Sequence, residues 1–300
     1  MTTSRQSILF DAQGPRARRV SLVANLVGAA LVLGVAAWLL GILADRGQLA
    51  PELWTSLFSS SVWLNFVLPG LQNTFRAAAF ATVGALVFGI VFGLGRLSHA
   101  PVVRWLSGVV VEFFRAVPVL LMMIFVWLLL GFNAQETVSE PEFVAVVVAL
   151  VLYNGAVIAE LVRSGVGSLP KGQGEAGLAV GLTRGQTLRS IQLPQALIAM
   201  LPALVSQMVV VLKDSALGQI ITYSELLRSM QLVGTALSNP LQALTLAAAI
   251  FIVINFALTW LAQWLSRFLS SRTSGRTEAG PGIGVAGAAG AGATIGADGD

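Results

Sequence analysis

The sequence predicts an all-α membrane protein with about six transmembrane helices. Three observations lead there. Hydrophobic residues make up 56% of the 300-residue chain and charged residues only 11%, with mean hydropathy +0.81; soluble domains carry about 25% charged residues. The apolar residues come in long uncharged runs, and about 20 helical residues at 1.5 Å each cross about 30 Å of hydrocarbon. The basic residues between those runs have a sided distribution. With the N-terminus inside, fourteen Lys and Arg fall on the inner side and three, Arg46, Lys213 and Arg228, on the outer. Positive charge collects on the cytoplasmic side, so both termini are expected in the cytoplasm.

Composition also excludes function classes. There is no cysteine, hence no disulfide framework or thiolate metal site. His99 is the single histidine, which rules out multi-histidine ligation, so no metal site is expected. It lies beside Pro101 in an expected cytoplasmic loop and is given no role. The net charge of +4 does not point to nucleic acid, because the basic residues are spread singly between apolar runs. No G-x-x-x-x-G-K-[ST] sequence occurs, and no serine, histidine and acid set is available for nucleophilic chemistry.

Taken in order, residues 1–19 form a cytoplasmic segment ending in Arg16, Arg18 and Arg19. The uncharged run Val20 to Ala44 is too long for the apolar part of a signal peptide, which has about 7 to 15 residues, and predicts the first span. Residues 45–69 carry Trp54, Phe58, Trp63 and Phe66 at helical spacing, which predicts a helix in the outer interface. The second span is expected from Leu71 to Gly95, and the Glu112 to Val117 stretch leads into a third reaching Phe132. A loop with Glu136, Glu140 and Glu142 precedes a fourth span from Phe143 to about Val162. The fifth runs from about Gln195 to Leu212 and the sixth from Leu241 to Ser266. Residues 70–270 are thus the core, and the Gly/Ala-rich residues 271–300 a flexible cytoplasmic tail unable to bury enough apolar area to fold.

Between the fourth and fifth spans lies a basic, glycine-punctuated insert, residues 169–196. Pro170 suits a first helical turn, so a short helix runs to about Val180, where Gly181 ends it in the left-handed conformation. Thr183 and Gln186 have capping-box spacing for a second helix, which Pro194 then breaks or kinks. Ala176, Gly177 and Ala179 give a smooth surface for a partner; the plainer alternative is an ordinary cytoplasmic loop.

The pattern Glu175-Ala176-Gly177, then Gly181, Ile191 and Leu193-Pro194 resembles the "EAA" loop of ATP-binding-cassette (ABC) importer permeases. Glu112 to Pro118, Ala159 to Arg163, Lys171-Gly172-Gln173, Leu193 to Ala196 and Leu212 to Ser215 are similar to the polar-amino-acid branch. Gly177 stands where alanine is usual, and Val157 where an aromatic residue is frequent. Tyr153 to Leu227 looks most like actinobacterial glutamate permeases. The resemblance implies the type I ABC importer permease fold and a coupling helix that docks on an ATPase, using Gln173, Glu175, Ala176, Gly177, Gly181, Leu193 and Pro194. It also implies two ATPase subunits, a second permease subunit (itself or a sister chain) and an extracytoplasmic amino-acid-binding protein. ATP and magnesium would then sit on the ATPase, and this chain would hold no cofactor of its own.

Ionisable groups at membrane depth are candidate sites by default. Arg76, on the order of 9 Å into the second span, and Lys213 both suit a substrate carboxylate; the alternative is that both snorkel to the headgroups. Asn73, Thr74 and Gln207 could add hydrogen bonds or simply join helices, and Asp214 could receive a substrate amine or pair locally with Lys213. Glu112 with Arg115, and Glu160 with Arg163, share a helix face at spacing three and are expected to form local ion pairs. Gly84, Gly89, Gly93 and Gly95 permit close helix approach. The rival reading is an ion-coupled secondary amino-acid transporter, for which Glu160 is the one candidate carboxylate.

Overall fold

The structure, a computed structural model, describes residues 14–133 and 138–274. These form twelve helices in chain order: α1 (Pro15–Asp45), α2 (Pro51–Thr55), α3 (Ser60–Val62), α4 (Leu68–Arg96), α5 (Pro101–Ala116), α6 (Val119–Asn133), α7 (Pro141–Gly167), α8 (Lys171–Ala179), α9 (Arg184–Thr187), α10 (Leu193–Asp214), α11 (Leu226–Ala236) and α12 (Pro240–Ser274). Five helical runs are long and apolar enough to cross a membrane, and the bent pair α5–α6 makes a sixth. An all-helical bundle meets the bilayer's requirement that every backbone N–H and C=O find a partner, because each helix supplies those partners within its own segment.

Four boundaries differ from the expected ones. The first helix starts at Pro15, inside the segment assigned to the cytoplasm. The aromatic stretch 45–69 is not one interfacial helix: from Ser60 onward it runs through a π-helical turn, Trp63–Val67, straight into α4. Val62 and Val67 are buried there against Leu226 and Met230 of α11, so tertiary packing rather than an interface claims these residues. The third span is broken, because Pro118 cannot continue α5 and the residue before a proline is pushed to extended backbone; Val117 has φ −83° and ψ 127°, and α6 leaves at 97° to α5. Pro194, finally, does not break the chain. A π-helical turn at Leu188–Gln192 leads into it, and it occupies the first turn of α10, where its missing N–H costs little. The fifth span is therefore continuous with the insert from Arg184 onward. Residues 271–274, expected in the flexible tail, belong to α12, while Glu136 and residues 275–300 lie outside the described residues.

The centre of the bundle is the pair α4 and α7. Ala77, Ala78 and Ala81 of α4 pack with Ala145, Val146, Ala149 and Leu150 of α7 in the buried core, and Ala85 with Ile158 and Val162 one turn further along. Small side chains let the two backbones meet, the usual device where lipid offers helices no hydrophobic driving force. A methyl group on Gly93 would lie 2.8 Å from Val162 Cβ and 3.0 Å from the carbonyl of Ala159, and one on Gly155 would lie 2.8 Å from Phe88. Mid-bundle, Gln207 of α10 donates to Asn154 of α7 at 2.6 Å, and Asn154 in turn donates to the carbonyl of Leu150. Such a bond between helices contributes about 1 kcal/mol. By contrast, no residue in the apolar stretch of α1 is buried, and its link to the body comes after its end, where Gln242 donates to the carbonyl of Gln48 at 2.7 Å.

Gly93→Leu is expected to destabilise the chain by about 1–3 kcal/mol through overpacking, lowering its thermal midpoint in detergent by several degrees. Gly28→Leu, where nothing lies within 4 Å, should leave the midpoint unchanged; equal effects would contradict the packing role.

Candidate functional sites at the two ends of the bundle

The insert folds as a knuckle of two arms. Gly181 has φ +84°, the left-handed value at which glycine carries no side-chain penalty, and it closes α8. Thr183 and Gln186 form the capping box: the Gln186 N–H donates to Thr183 Oγ1, and the Thr183 N–H donates back to Gln186 Oε1 at 2.8 Å. The arms then pack through their small residues. Gly177 faces inward and is buried, and a methyl group there would come within 2.6 Å of Thr187 Cγ2. Gly174 lies against Gln192 in the same way, and Gln195 donates to Gln173 at 3.1 Å across the base of the knuckle. Glu175, Ala176 and Ala179 are exposed on the opposite face. Of the seven predicted coupling residues, Glu175 and Ala176 thus face outward, while Gly177, Gly181 and Gln173 shape the knuckle. Leu193 and Pro194 open α10.

Where α4, α5 and α7 end beside the knuckle, five charges meet. Arg163 binds Glu160 through two nitrogens, and Arg115 lies 3.4 Å from Glu112. The sequence reading missed the residue that joins the two pairs. Arg96 reaches Glu112 at 3.0 Å and Glu160 at 2.9 Å, and its side chain is only 16% exposed, so it ties α4 to both neighbours. Its partners lie 16 and 64 positions away, beyond the reach of any helical spacing rule.

At the opposite end of α4 the substrate-path candidates separate. Arg76 pairs with Glu140 at 2.8 Å and stacks over the Phe143 ring, 4.0 Å from its centroid. Asn73 donates to the carbonyl of Ser224 at 2.8 Å, and the Tyr223 hydroxyl donates to the Asn73 carbonyl at 2.8 Å. Together these side chains line an open recess of about 290 Å³. Lys213 and Asp214, at the end of α10, do not line it, and Gln207 is engaged with Asn154. Thr74 is fully buried and joins helices: it accepts from the Leu226 N–H at 3.1 Å and donates to the Gly70 carbonyl.

Residues 85–271 match the family described as binding-protein-dependent transport system inner membrane component. The chain belongs to that family. Its members work in ABC importers with an ATPase and a substrate-binding protein, and a chain of this family is a multi-pass inner-membrane component rather than a catalytic subunit. Among relatives, it is 48% identical to the glutamate transport system permease protein GluD of Corynebacterium glutamicum, over 74% of this chain and 81% of GluD. It is 31% identical to the arginine transport system permease protein ArtQ of Bacillus subtilis, over 68% of this chain and 93% of ArtQ. A crystal structure of an amino acid ABC transporter with histidines superposes with TM-score 0.62 at 26% identity, covering 67% of this chain and 92% of the other. The helical permease architecture read from the sequence is that of these proteins.

One further buried acid escaped the sequence reading. Glu225, fully buried, caps α11 by accepting from the N–H groups of Leu227 and Arg228 at 2.9 and 2.7 Å. Burial pushes its carboxyl up to about 7, outweighing those two donors. Because the folded value lies above the ordinary one, the fold holds an extra proton between about 4.5 and about 7. The associated stability is full below that window and is lost as pH rises through it, by at most about 3 kcal/mol. The thermal midpoint should therefore fall between pH 5 and pH 8, and Glu225→Gln should remove most of that slope. An unchanged slope in the variant would contradict the assignment.

Proposed function

We propose that this chain is the permease subunit of an ATP-driven importer for a polar amino acid, with glutamate favoured by the 48% identity to GluD. The observation that carries the reading is the knuckle: an outward face of Glu175, Ala176 and Ala179 on a short helix whose second arm continues unbroken into α10. A helix without a break transmits displacement, so a partner that moves the knuckle moves the span. In this reading the knuckle and both termini are cytoplasmic, and Glu175 and Ala176 contact one of two ATPase subunits. ATP and magnesium bind on those subunits, in keeping with the missing phosphate-binding sequence here. A second permease subunit completes the pathway, an extracytoplasmic binding protein delivers the amino acid, and the bundle rocks between inward- and outward-facing states.

The recess at the far end supports a substrate role for Arg76. Its guanidinium holds the Glu140 carboxylate, and an arriving substrate carboxylate offers the same chemistry. Substrate entering there exchanges with Glu140 rather than meeting a bare charge, which limits the desolvation cost. Lys213 and Asp214, at the end of α10, remain candidates outside that recess. Against the secondary-transporter reading, Glu160, the carboxylate it requires, is held by both Arg96 and Arg163.

Vesicles containing this chain alone are expected to take up no labelled glutamate under any ion gradient, and to do so once the second permease subunit, the ATPase, the binding protein and ATP are supplied. Glu175→Lys should abolish ATPase co-purification while membrane insertion persists, and Arg76→Gln should lower uptake at least tenfold with the ATPase still bound. Gradient-driven uptake by the chain alone, or unchanged co-purification of Glu175→Lys, would contradict the proposal.

A further inference from the structure

A second recess, of about 320 Å³, lies between the knuckle and the turn that joins α4 to α5, and neither the coupling surface nor the substrate path uses it. Its walls have two characters. Leu97 from the turn and Leu178 from α8 make an apolar side. Arg184 and Gln192 from the second arm and His99 from the turn make a nitrogen-rich side, and no acidic residue lines the recess. Arg96, Arg115 and Arg163 at this end of the bundle are each held by a carboxylate, whereas Arg184 has no ion-pair partner among the described residues. Thr187 forms part of the wall, is 3% exposed, and its hydroxyl has no hydrogen-bond partner among the described residues. Both branches of the Thr187 side chain lie against Gly177 at the back of this wall, so the groups free to meet a ligand are the unpaired guanidinium and the amide and imidazole beside it, a set poised to gain from a ligand that accepts hydrogen bonds.

We propose that this recess binds a small organic anion, a carboxylate or phosphate head on a short apolar stem. The head sits on the Arg184 guanidinium with His99 and Gln192 as further donors and Thr187 behind them, and the stem lies along Leu97 and Leu178. A cavity of this size with a few convergent polar groups on an apolar lining has the make-up of a small-molecule site, and a planar guanidinium binds either head group with two parallel hydrogen bonds. The ligand touches the α4–α5 turn and the second arm at once, so its binding holds the knuckle against the bundle. Binding needs only this chain's fold; the consequence, a brake on coupling exerted from the knuckle side, rests on the transport reading. The same head chemistry is presented by a soluble organic anion and by a lipid headgroup.

Because the chain contains no cysteine, Leu178→Cys provides a single thiol in the wall, at a position 45% exposed and open to maleimide. The full chain carrying it would be placed in nanodiscs of phosphatidylcholine alone and titrated with butyl phosphate, butyrate and butanol. Saturable slowing of labelling by the two anions, at least fivefold and absent with butanol, is expected. Arg184→Gln should raise the half-saturating concentration at least tenfold, and His99→Ala by a smaller factor, while the charge control Arg46→Gln leaves it unchanged. If nanodiscs containing phosphatidylglycerol slow labelling with no soluble anion present, and Arg184→Gln relieves it, the site takes a headgroup. Labelling indifferent to both anions and to phosphatidylglycerol, protection by butanol equal to that by butyl phosphate, or protection unchanged in Arg184→Gln would overturn the proposal. The binding assay uses neither ATPase nor transport, so its failure leaves the permease reading untouched.

Discussion

The close approach of α4 and α7 is the constraint on which the rest of the structure depends. Alanines and glycines along the shared face bring the two backbones together, and the charged residues at their ends follow from that placement. Arg76 and Arg96 stand twenty residues apart on α4, about 30 Å at helical rise, and each finds its acid on or just before α7. One junction forms the floor of the proposed substrate recess, and the other binds α4, α5 and α7 where the knuckle begins. A bulky residue on the shared face would pull both junctions apart at once.

The knuckle is compact for a different reason. Its second arm is the first part of a span, so it cannot shift freely, and α8 must come to it. Gly177 and Gly174 allow that approach, Gly181 provides the reversal, and the capping box supplies partners for N–H groups that begin the second arm. The π-helical turn before Pro194 carries the chain from knuckle to span without interruption. Rigidity there, rather than a hinge, suits the handle proposed for this segment.

What was legible in the sequence was local. Hydropathy revealed the long apolar runs, and the capping box and Gly181 were visible because their chemistry is complete within a few residues. What escaped depended on partners far away in the chain. Nothing near Arg96 announces that it will bridge Glu112 and Glu160, and Asn154 meets Gln207 only because α7 and α10 cross. Glu225 resembles an ordinary surface acid until the fold buries it completely. The two prolines behave differently: Pro118 ends α5 and bends the third span, a break the sequence reading passes over, whereas Pro194, expected to break or kink the insert, falls at the start of a helix that a wider turn prepares.

The central claim is that the outward face of α8 is where a separate motor takes hold. The most direct test places single cysteines, in this cysteine-free chain, at Ala176 on that face and at Thr222 at the opposite end of the bundle. The importer assembled with its ATPase would then be treated with a short thiol-to-amine crosslinking reagent, which joins the introduced cysteine to a lysine of the partner. The account predicts crosslinking of Ala176→Cys to the ATPase, with a yield that changes when ATP is added, and none from Thr222→Cys. Crosslinking from Thr222→Cys alone, or from neither, would contradict it.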